Sequence, residues 1–150
     1  MVQSAAALDI SPRVLHDILR LRCDVFVVEQ ECAYPELDGR DLEPDARQLW
    51  IERADGEVVA TLRLLRDPDG TARIGRVATA ASARGEGLAA QLMTRALELT
   101  GDGDVVLDAQ TYLEDWYARF GFVRAGADYV EDGIPHVPMR RAPRHLQSEG

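Results

Sequence analysis

The sequence predicts one α/β domain of the α+β kind, in which helices pack on a mixed, mostly antiparallel central sheet. Strand-like runs between residues 47 and 79 are separated by turn signals of the hairpin type, which favour antiparallel pairing. Two segments carry apolar residues at helical spacing, and a nearly continuous apolar run at 104–110 is typical of a buried strand. A length of 150 residues suits a single domain with its own core, covering 1–150.

The first predicted helix covers residues 12–27. Ser11 is a capping residue, Pro12 occupies the first helical position, and apolar side chains recur at helical spacing from Leu15 to Phe26. Residues 29–46 combine acids, prolines and a glycine without apolar periodicity, so we expect a long ordered loop there. Loops of that length usually serve a function.

The remaining elements follow from turn and stop signals. Residues 55–56 and 68–70 are turns between three strands of an antiparallel meander. After that meander we predict a helix at 86–99, a buried strand at 104–110, a short helix ending at Gly121, two strands joined by residues 131–133, and a frayed tail at 142–150.

Composition excludes several classes of function. The chain has 26 acidic and 17 basic residues and a net charge of -9, so a general attraction to nucleic acid or to an anionic membrane is not expected. No apolar run approaches the ~18 residues of a membrane span, and no basic-then-apolar leader is present, so we expect a cytoplasmic protein. Cys23 and Cys32 form no C-x-x-C pair and predict neither a disulfide framework nor a metal site.

The stretch ARGEGLAAQLM at 83–93 contains the spacing G-x-G-x-x-A at the start of the second helix. A dinucleotide fingerprint requires the first glycine to follow its strand at once, inside a parallel β-α-β unit. Here several residues separate the strand end near Thr79 from Gly85, and the preceding strands are linked by hairpins. The dinucleotide interpretation therefore fits poorly, and a P-loop fits worse because no Gly-Lys-Ser/Thr follows.

The helix entrance itself suggests an anion site. No Ser, Thr, Asp or Asn caps the helix between Ala83 and Gly87, so its first backbone N–H groups are open to a ligand. Together with the positive helix end and Arg84, these donors suit a pyrophosphate. Glu86 counts mildly against an anion site, because a carboxylate in the first turn can itself interact with the positive helix end. The alternative is that the glycines only shape a tight loop.

Over most of its length the chain resembles the GCN5-related N-acetyltransferase (GNAT) superfamily. RGEGLA after the strand ARIGRVAT matches the signature [QR]-x-x-G-x-[GA], and WYARFGF matches the element Y-x-x-x-G-F. The stretches at 21–41 and 131–141 are similar to the ElaA-like branch, while Ala80-Ala81-Ser82 replaces a proline often found after the strand. The resemblance implies a GNAT fold, a mostly antiparallel sheet of about six to seven strands splayed at the cofactor and flanked by about three to four helices.

The resemblance also implies the cofactor and its site. Acetyl-CoA would be the cosubstrate, with no metal involved. The strand at 104–110 would form one wall of the pantetheine channel. The implied cofactor-binding residues are Val77, Ala78 and Thr79 for the pantetheine arm, and Arg84, Gly85, Glu86, Gly87, Leu88 and Ala89 for the pyrophosphate.

Tyr117 matches the tyrosine of the family element and is the predicted proton donor to the leaving thiolate. A free phenol has a pKa of ~10 and a thiol ~8.5, so complete proton transfer is uphill by roughly 2 kcal/mol. We therefore expect a hydrogen bond that strengthens as the C–S bond breaks. The alternative is a packed aromatic beside Trp116 and Phe120.

Several residues are candidates for the general base and for contacts with the acceptor. Glu29 is the first candidate base because the apolar stretch VFVV anchors it, and His136, on a strand with two prolines, is the second. Glu31, Asp38 and Asp41 are candidate contacts for a cationic acceptor, although a solvated acidic face is the alternative.

Together these features predict an N-acetyltransferase that moves an acetyl group from acetyl-CoA to a primary amine, on a small molecule or a protein or peptide, by direct transfer in a ternary complex. A homodimer is an expected assembly, with no nucleic-acid or membrane partner. One alternative is a non-catalytic acyl-CoA-binding protein, indifferent to Tyr117. Another is an acyltransferase similar to acyl-homoserine-lactone synthases, suggested by the R-x-x-V-F stretch at 22–26 but disfavoured by RGEGLA and the short chain.

Overall fold

The computed structural model describes residues 1–143, and the predicted frayed tail lies outside the described residues from 144 onward. Within 1–143, eight strands form one sheet: β1 (Val2–Ala5), β2 (Arg47–Glu52), β3 (Val58–Arg66), β4 (Ala72–Thr79), β5 (Val105–Gln110), β6 (Val123–Arg124), β7 (Tyr129–Glu131) and β8 (Ile134–Arg141). Their order across the sheet is β1-β2-β3-β4-β5-β8-β6, with β7 paired to β8. All neighbouring strands are antiparallel except β4 and β5, which confirms the predicted fold class. Among the described residues, none of the helices has the length and apolar character of a membrane span.

Three α-helices lie within the described residues. The helices are α1 (Pro12–Cys23), α2 (Leu88–Thr100) and α3 (Glu114–Ala118).

The first helix differs from its prediction. α1 begins at Pro12 with Ser11 Oγ accepting from the backbone N–H of Val14, as the capping signal indicates. It ends at Cys23, and Asp24–Glu29 continue as a π-helical turn. Three valines in DVFVVE give this stretch a low α-helix propensity, and π-helical turns often occur at functional sites. The strand β1 was not predicted because its four residues, VQSA, show no clear alternation of apolar and polar side chains. Antiparallel pairing with β2 stabilises it instead.

The core consists of two apolar clusters on opposite faces of the sheet. Leu49 and Ile51 of β2 pack in the cluster that contains Leu92 of α2. Trp50, between them, packs in the cluster that contains Ile18 of α1. Because alternate side chains of a strand point to opposite faces, α1 and α2 cover opposite faces of the sheet. A sheet buried on both faces explains why the VVATLRLL run of β3 is almost continuously apolar.

The sheet separates between β4 and β5. These two strands pair in parallel only at Ala72–Val105 and Arg73–Val106, although β4 continues to Thr79 and β5 to Gln110. β4 also contains a bulge where the two strands separate. Two steps along β3, from Thr61 to Arg63, correspond to three steps along β4, from Ala78 to Gly75. The extra residue leaves the ladder, bends the strand and opens a gap in the middle of the sheet.

Candidate active site

A cavity of about 1080 Å³ occupies the gap between β4 and β5. Its walls come from both strands, the segment after α1, the start of α2, α3 and the turn between β7 and β8. The predicted site residues that line it are Glu29, Asp38, Val77, Ala78, Thr79, Arg84, Ala89, Tyr117 and His136. Those outside the lining are Glu31, Asp41, Gly85, Glu86, Gly87 and Leu88. The volume is sufficient for a cofactor-sized ligand.

The entrance of α2 has open space around two glycines and no capping side chain. Gly85 and Gly87 adopt left-handed backbone angles, φ 83 and 77, that favour glycine, and a Cβ at either would meet nothing within 4 Å. Gly87 is the N-cap of α2 and gives no side-chain cap hydrogen bond. The first-turn N–H groups of α2 therefore lack a capping side chain and meet an open approach, as the sequence predicts.

Arg84 lies between this entrance and the segment after α1. Its Nε donates to the carbonyl oxygen of Thr79 at 3.2 Å, and its two terminal nitrogens donate to the two carboxylate oxygens of Glu29. The hydrogen bond from Arg84 lowers the pKa of Glu29. The structure thus joins a predicted cofactor residue to the first predicted base, and a carboxylate held in this way is a poor proton acceptor.

Tyr117 lines the cavity and is largely buried. Its ring is 7% exposed and packs edge-on against Trp116, with ring centroids 5.0 Å apart, and against Phe122. Within residues 1–143 its hydroxyl makes no hydrogen bond, so it is available to a ligand. Burial raises the pKa of Tyr117, so the phenol remains a proton donor at neutral pH. Packing fixes the ring and leaves the hydroxyl without a hydrogen-bond partner among the described residues, so the packed-aromatic interpretation and the donor interpretation do not exclude each other.

His136 has a fixed ring orientation. Its Nδ1 lies 2.7 Å from the carbonyl oxygen of Ile134, and its ring stacks on Tyr129 with centroids 5.6 Å apart. A carbonyl only accepts, so Nδ1 carries the hydrogen and, in the neutral ring, Nε2 carries the lone pair. Burial, together with the nearby Asp108, raises the pKa of Tyr129. His136 can accept a proton through Nε2 without competing with its structural contacts.

Asp41 is part of a buried ion network. Arg22 is 0% exposed and donates from Nε to Glu36 and from Nη1 to Asp41, each at 2.7 Å. Gln48 donates to the same Asp41 carboxylate at 2.8 Å. Burial acts to raise the pKa of Asp41, but the hydrogen bonds and charges of the arginines outweigh it and the pKa is lowered. Asp41 therefore binds other side chains of the protein rather than facing the cavity.

The same network reaches the cavity through Asp38 and Arg76. Arg63 donates to Asp38 at 2.8 Å, and Arg76 donates from Nε to Glu36 at 2.9 Å. Despite partial burial, the hydrogen bonds from Arg63 and from the backbone N–H of Arg40, with the positive charges of Arg63 and Arg76, lower the pKa of Asp38 to about 2. Arg76 lies in the β4 bulge and has φ 52, so strained backbone coincides with the site. The arginine network consists of Arg22, Glu36, Asp38, Asp41, Arg63 and Arg76.

The sequence analysis does not predict burial of these arginines, although a signal for the burial of two of them is present. Arg22 falls on the apolar side of α1, and Arg63 interrupts an otherwise apolar strand. Charged residues at such positions are buried only when they are paired. The acid-rich loop after α1 supplied the partners, but its contacts over long sequence distances could not be read from spacing.

The two cysteines and the acidic groups form no metal centre in the part of the chain that the structure describes. Cys23 and Cys32 are free thiols. Across residues 1–143 no three His, Cys, Asp or Glu side chains are arranged to hold a metal ion.

Comparison with known sequences identifies relatives over nearly the whole chain. A family model described as "Acetyltransferase (GNAT) domain" matches residues 22–143. A UPF0039 protein of Mycobacterium tuberculosis is 51% identical over 138 residues, which covers 90% of this chain and 88% of that protein. The protein ElaA of Escherichia coli is 42% identical over 139 residues, covering 89% of this chain and 90% of ElaA.

Solved structures agree with these relatives. An acyl-CoA N-acyltransferase from Pseudomonas aeruginosa superposes with a TM-score of 0.89 at 43% identity, covering 95% of this chain and 99% of that chain. Escherichia coli ElaA gives a TM-score of 0.88 at 39% identity, covering 94% and 98% of the two chains. A CoA-dependent acyl-homoserine lactone synthase solved with isopentyl-CoA gives a TM-score of 0.80, but at 21% identity the likeness is one of fold alone.

Proposed function

This chain belongs to the GNAT acetyltransferase family, in its ElaA-like branch, and on that premise we propose that it transfers an acetyl group from acetyl-CoA to a primary amine in a ternary complex. The amine belongs to a small molecule or to a protein or peptide. One observation carries the proposal. The gap between β4 and β5 leads directly to an uncapped helix entrance beside Arg84, and both Tyr117 and His136 line the same cavity.

The cofactor extends along this gap. Its pyrophosphate binds the first-turn N–H groups of α2 and the Arg84 guanidinium, where two glycines leave room for close approach. Its pantetheine arm follows Val77, Ala78 and Thr79, because the part of β4 beyond Arg73 is not paired with β5 and its backbone can bind a ligand instead. Acetyl-CoA would supply the activated acyl group.

Tyr117 donates a hydrogen bond to the thiolate sulfur as the C–S bond breaks. Burial favours the neutral phenol, so the hydroxyl carries its proton throughout the physiological pH range. The raised pKa makes full proton transfer to the thiolate more costly than for a free phenol. Stabilisation through a strengthening hydrogen bond is therefore the role that the burial of Tyr117 supports.

His136 is the favoured base for the acceptor amine. An ammonium must lose its proton before nitrogen can attack the thioester carbonyl. The hydrogen bond from Nδ1 to Ile134 leaves Nε2 free to accept that proton, and Glu29, which pairs with Arg84, stays the other predicted base. Asp38, which lines the cavity, and Glu31, which is exposed outside it, remain predicted acceptor contacts. A homodimer and a cytoplasmic location also stay predictions.

Thermal unfolding with separate ligands tests the cofactor. Ligand at a hundred times its Kd adds about 2.7 kcal/mol to the free energy of unfolding, which raises Tm by roughly 5 to 11 °C for a domain of this size. We expect this rise with acetyl-CoA and with CoA, and none with NADH. Arg84→Gln should reduce the rise. A rise with NADH alone would restore the dinucleotide interpretation, and no rise with any ligand would refute the proposal.

A further inference from the structure

Glu29 and Arg84 form a contact that the cofactor must disturb. They belong to different elements, 55 residues apart, and meet through two hydrogen bonds from the guanidinium to both carboxylate oxygens. Both side chains line the cavity, and they are 42% and 45% exposed. The third contact of Arg84, from Nε to the Thr79 carbonyl, fixes the guanidinium at the end of β4.

The carboxylate of Glu29 takes up both terminal nitrogens of Arg84. A guanidinium binds carboxylate and phosphate oxygens through the same pair of terminal nitrogens. With these nitrogens on Glu29, a pyrophosphate approaching Arg84 meets a second anion at the same guanidinium. Like charges at that distance repel, so the two anions compete for Arg84.

We propose that Glu29 acts as an internal competitor of the cofactor pyrophosphate, which displaces it from Arg84 and thereby frees the Glu29 carboxylate for the acceptor amine. The inference rests on the proposed function and deepens it by giving Glu29 two positions. In the position that the structure shows, Glu29 pairs with Arg84. In the cofactor complex, its carboxylate faces the cavity that it already lines and can pair with an incoming ammonium.

The exchange requires little energy because the pair is exposed. Ion pairs of this exposure contribute about 0.2–1 kcal/mol, so removing Glu29 should tighten CoA binding by roughly 1.5- to 5-fold. The opposite interpretation is that Glu29 holds Arg84 ready for the cofactor. In that case removing Glu29 would weaken CoA binding, so the two interpretations predict changes of opposite sign.

Glu86 supplies a matched control for the loss of one negative charge. It lies in the same cofactor loop, is 44% exposed, and pairs with Arg53 at 2.9 Å rather than with Arg84. Glu86→Gln removes the same charge close to the pyrophosphate site. Its effect on CoA affinity measures general electrostatics without the competition at Arg84.

Calorimetric titration with CoA tests the proposal. The proteins titrated are the wild type, the single variants Glu29→Gln, Glu86→Gln and Arg84→Gln, and two double variants that combine Arg84→Gln with Glu29→Gln or with Glu86→Gln. We expect Glu29→Gln to lower the CoA Kd in the wild-type background and to have no effect once Arg84 is replaced. Any effect of Glu86→Gln should persist in both backgrounds. With an amine substrate in hand, Glu29→Gln should raise the KM of the amine while it lowers the Kd of CoA.

Two results would overturn the inference. One is a Glu29→Gln variant that binds CoA no more tightly than the wild type. The other is a gain in affinity that survives in Arg84→Gln, which would assign the effect to charge alone. A wild-type protein that binds no CoA would overturn the proposed function itself, and the first titration reports that separately.

Discussion

Tyr117→Phe should lower kcat about 100-fold while the affinity for CoA stays within a factor of two or so of the wild type. The substitution keeps the ring, and with it the edge-on contacts to Trp116 and Phe122. It removes only the hydroxyl, which makes no hydrogen bond within the described residues and reaches the cavity. The loss should therefore fall on the step in which charge develops on the thiolate, and not on cofactor binding or folding.

The measurement is the rate of CoA thiol release under saturating substrates, together with a CoA titration of each variant. Tyr112→Phe is the matched control, because Tyr112 also lines the cavity but is 76% exposed. We expect wild-type kcat from the control. Wild-type kcat from Tyr117→Phe would contradict the role of the phenol and leave Tyr117 as a packed aromatic.

Arg22→Met, which replaces a buried charged side chain with an apolar one, should strongly destabilise the protein. Arg22 is 0% exposed, and its loss would leave the buried carboxylates of Glu36 and Asp41 without their central partner. Breaking a buried pair in this way costs about 3–5 kcal/mol, which corresponds to a fall in Tm of roughly 6 to 20 °C for a domain of this size.

Arg20→Met provides the comparison on the same helix. The Arg20 side chain is 72% exposed, and its nearest carboxylate, on Asp24, is 3.9 Å away. Surface substitutions of this kind change stability by about 0.5 kcal/mol or less. Thermal unfolding of both variants without ligand should separate them clearly. Equal Tm values would show that the arginine network does not stabilise the fold.

Much of the fold could be predicted because the relevant signals are local. Hairpin turns at 55–56 and 68–70 defined the meander, and the Ser11-Pro12 cap fixed the start of α1. The end of α1 was wrong because apolar spacing continues through the π-helical turn. The strand β1 was missed because its partner β2 lies more than forty residues away, and pairing over such distances leaves little pattern in four residues.

The candidate site divides in the same way. The glycines at the entrance of α2 were readable from sequence because positive φ and an absent cap are local requirements. The contact of Arg84 with Glu29 could not be predicted from the sequence, since it joins two segments that only the complete fold brings together. The orientation of His136 is likewise set by a carbonyl contact and by stacking on a neighbouring strand, neither of which spacing reveals.

Acyl transfer is tested most directly by following free thiol release from acetyl-CoA with a panel of primary amines, including diamines, amino acids and lysine-containing peptides. The account predicts release that depends on the amine, is proportional to enzyme and is lost in Tyr117→Phe. Tight CoA binding without amine-dependent release from any member of the panel would contradict it, and would identify the protein as a non-catalytic binder of acyl-CoA.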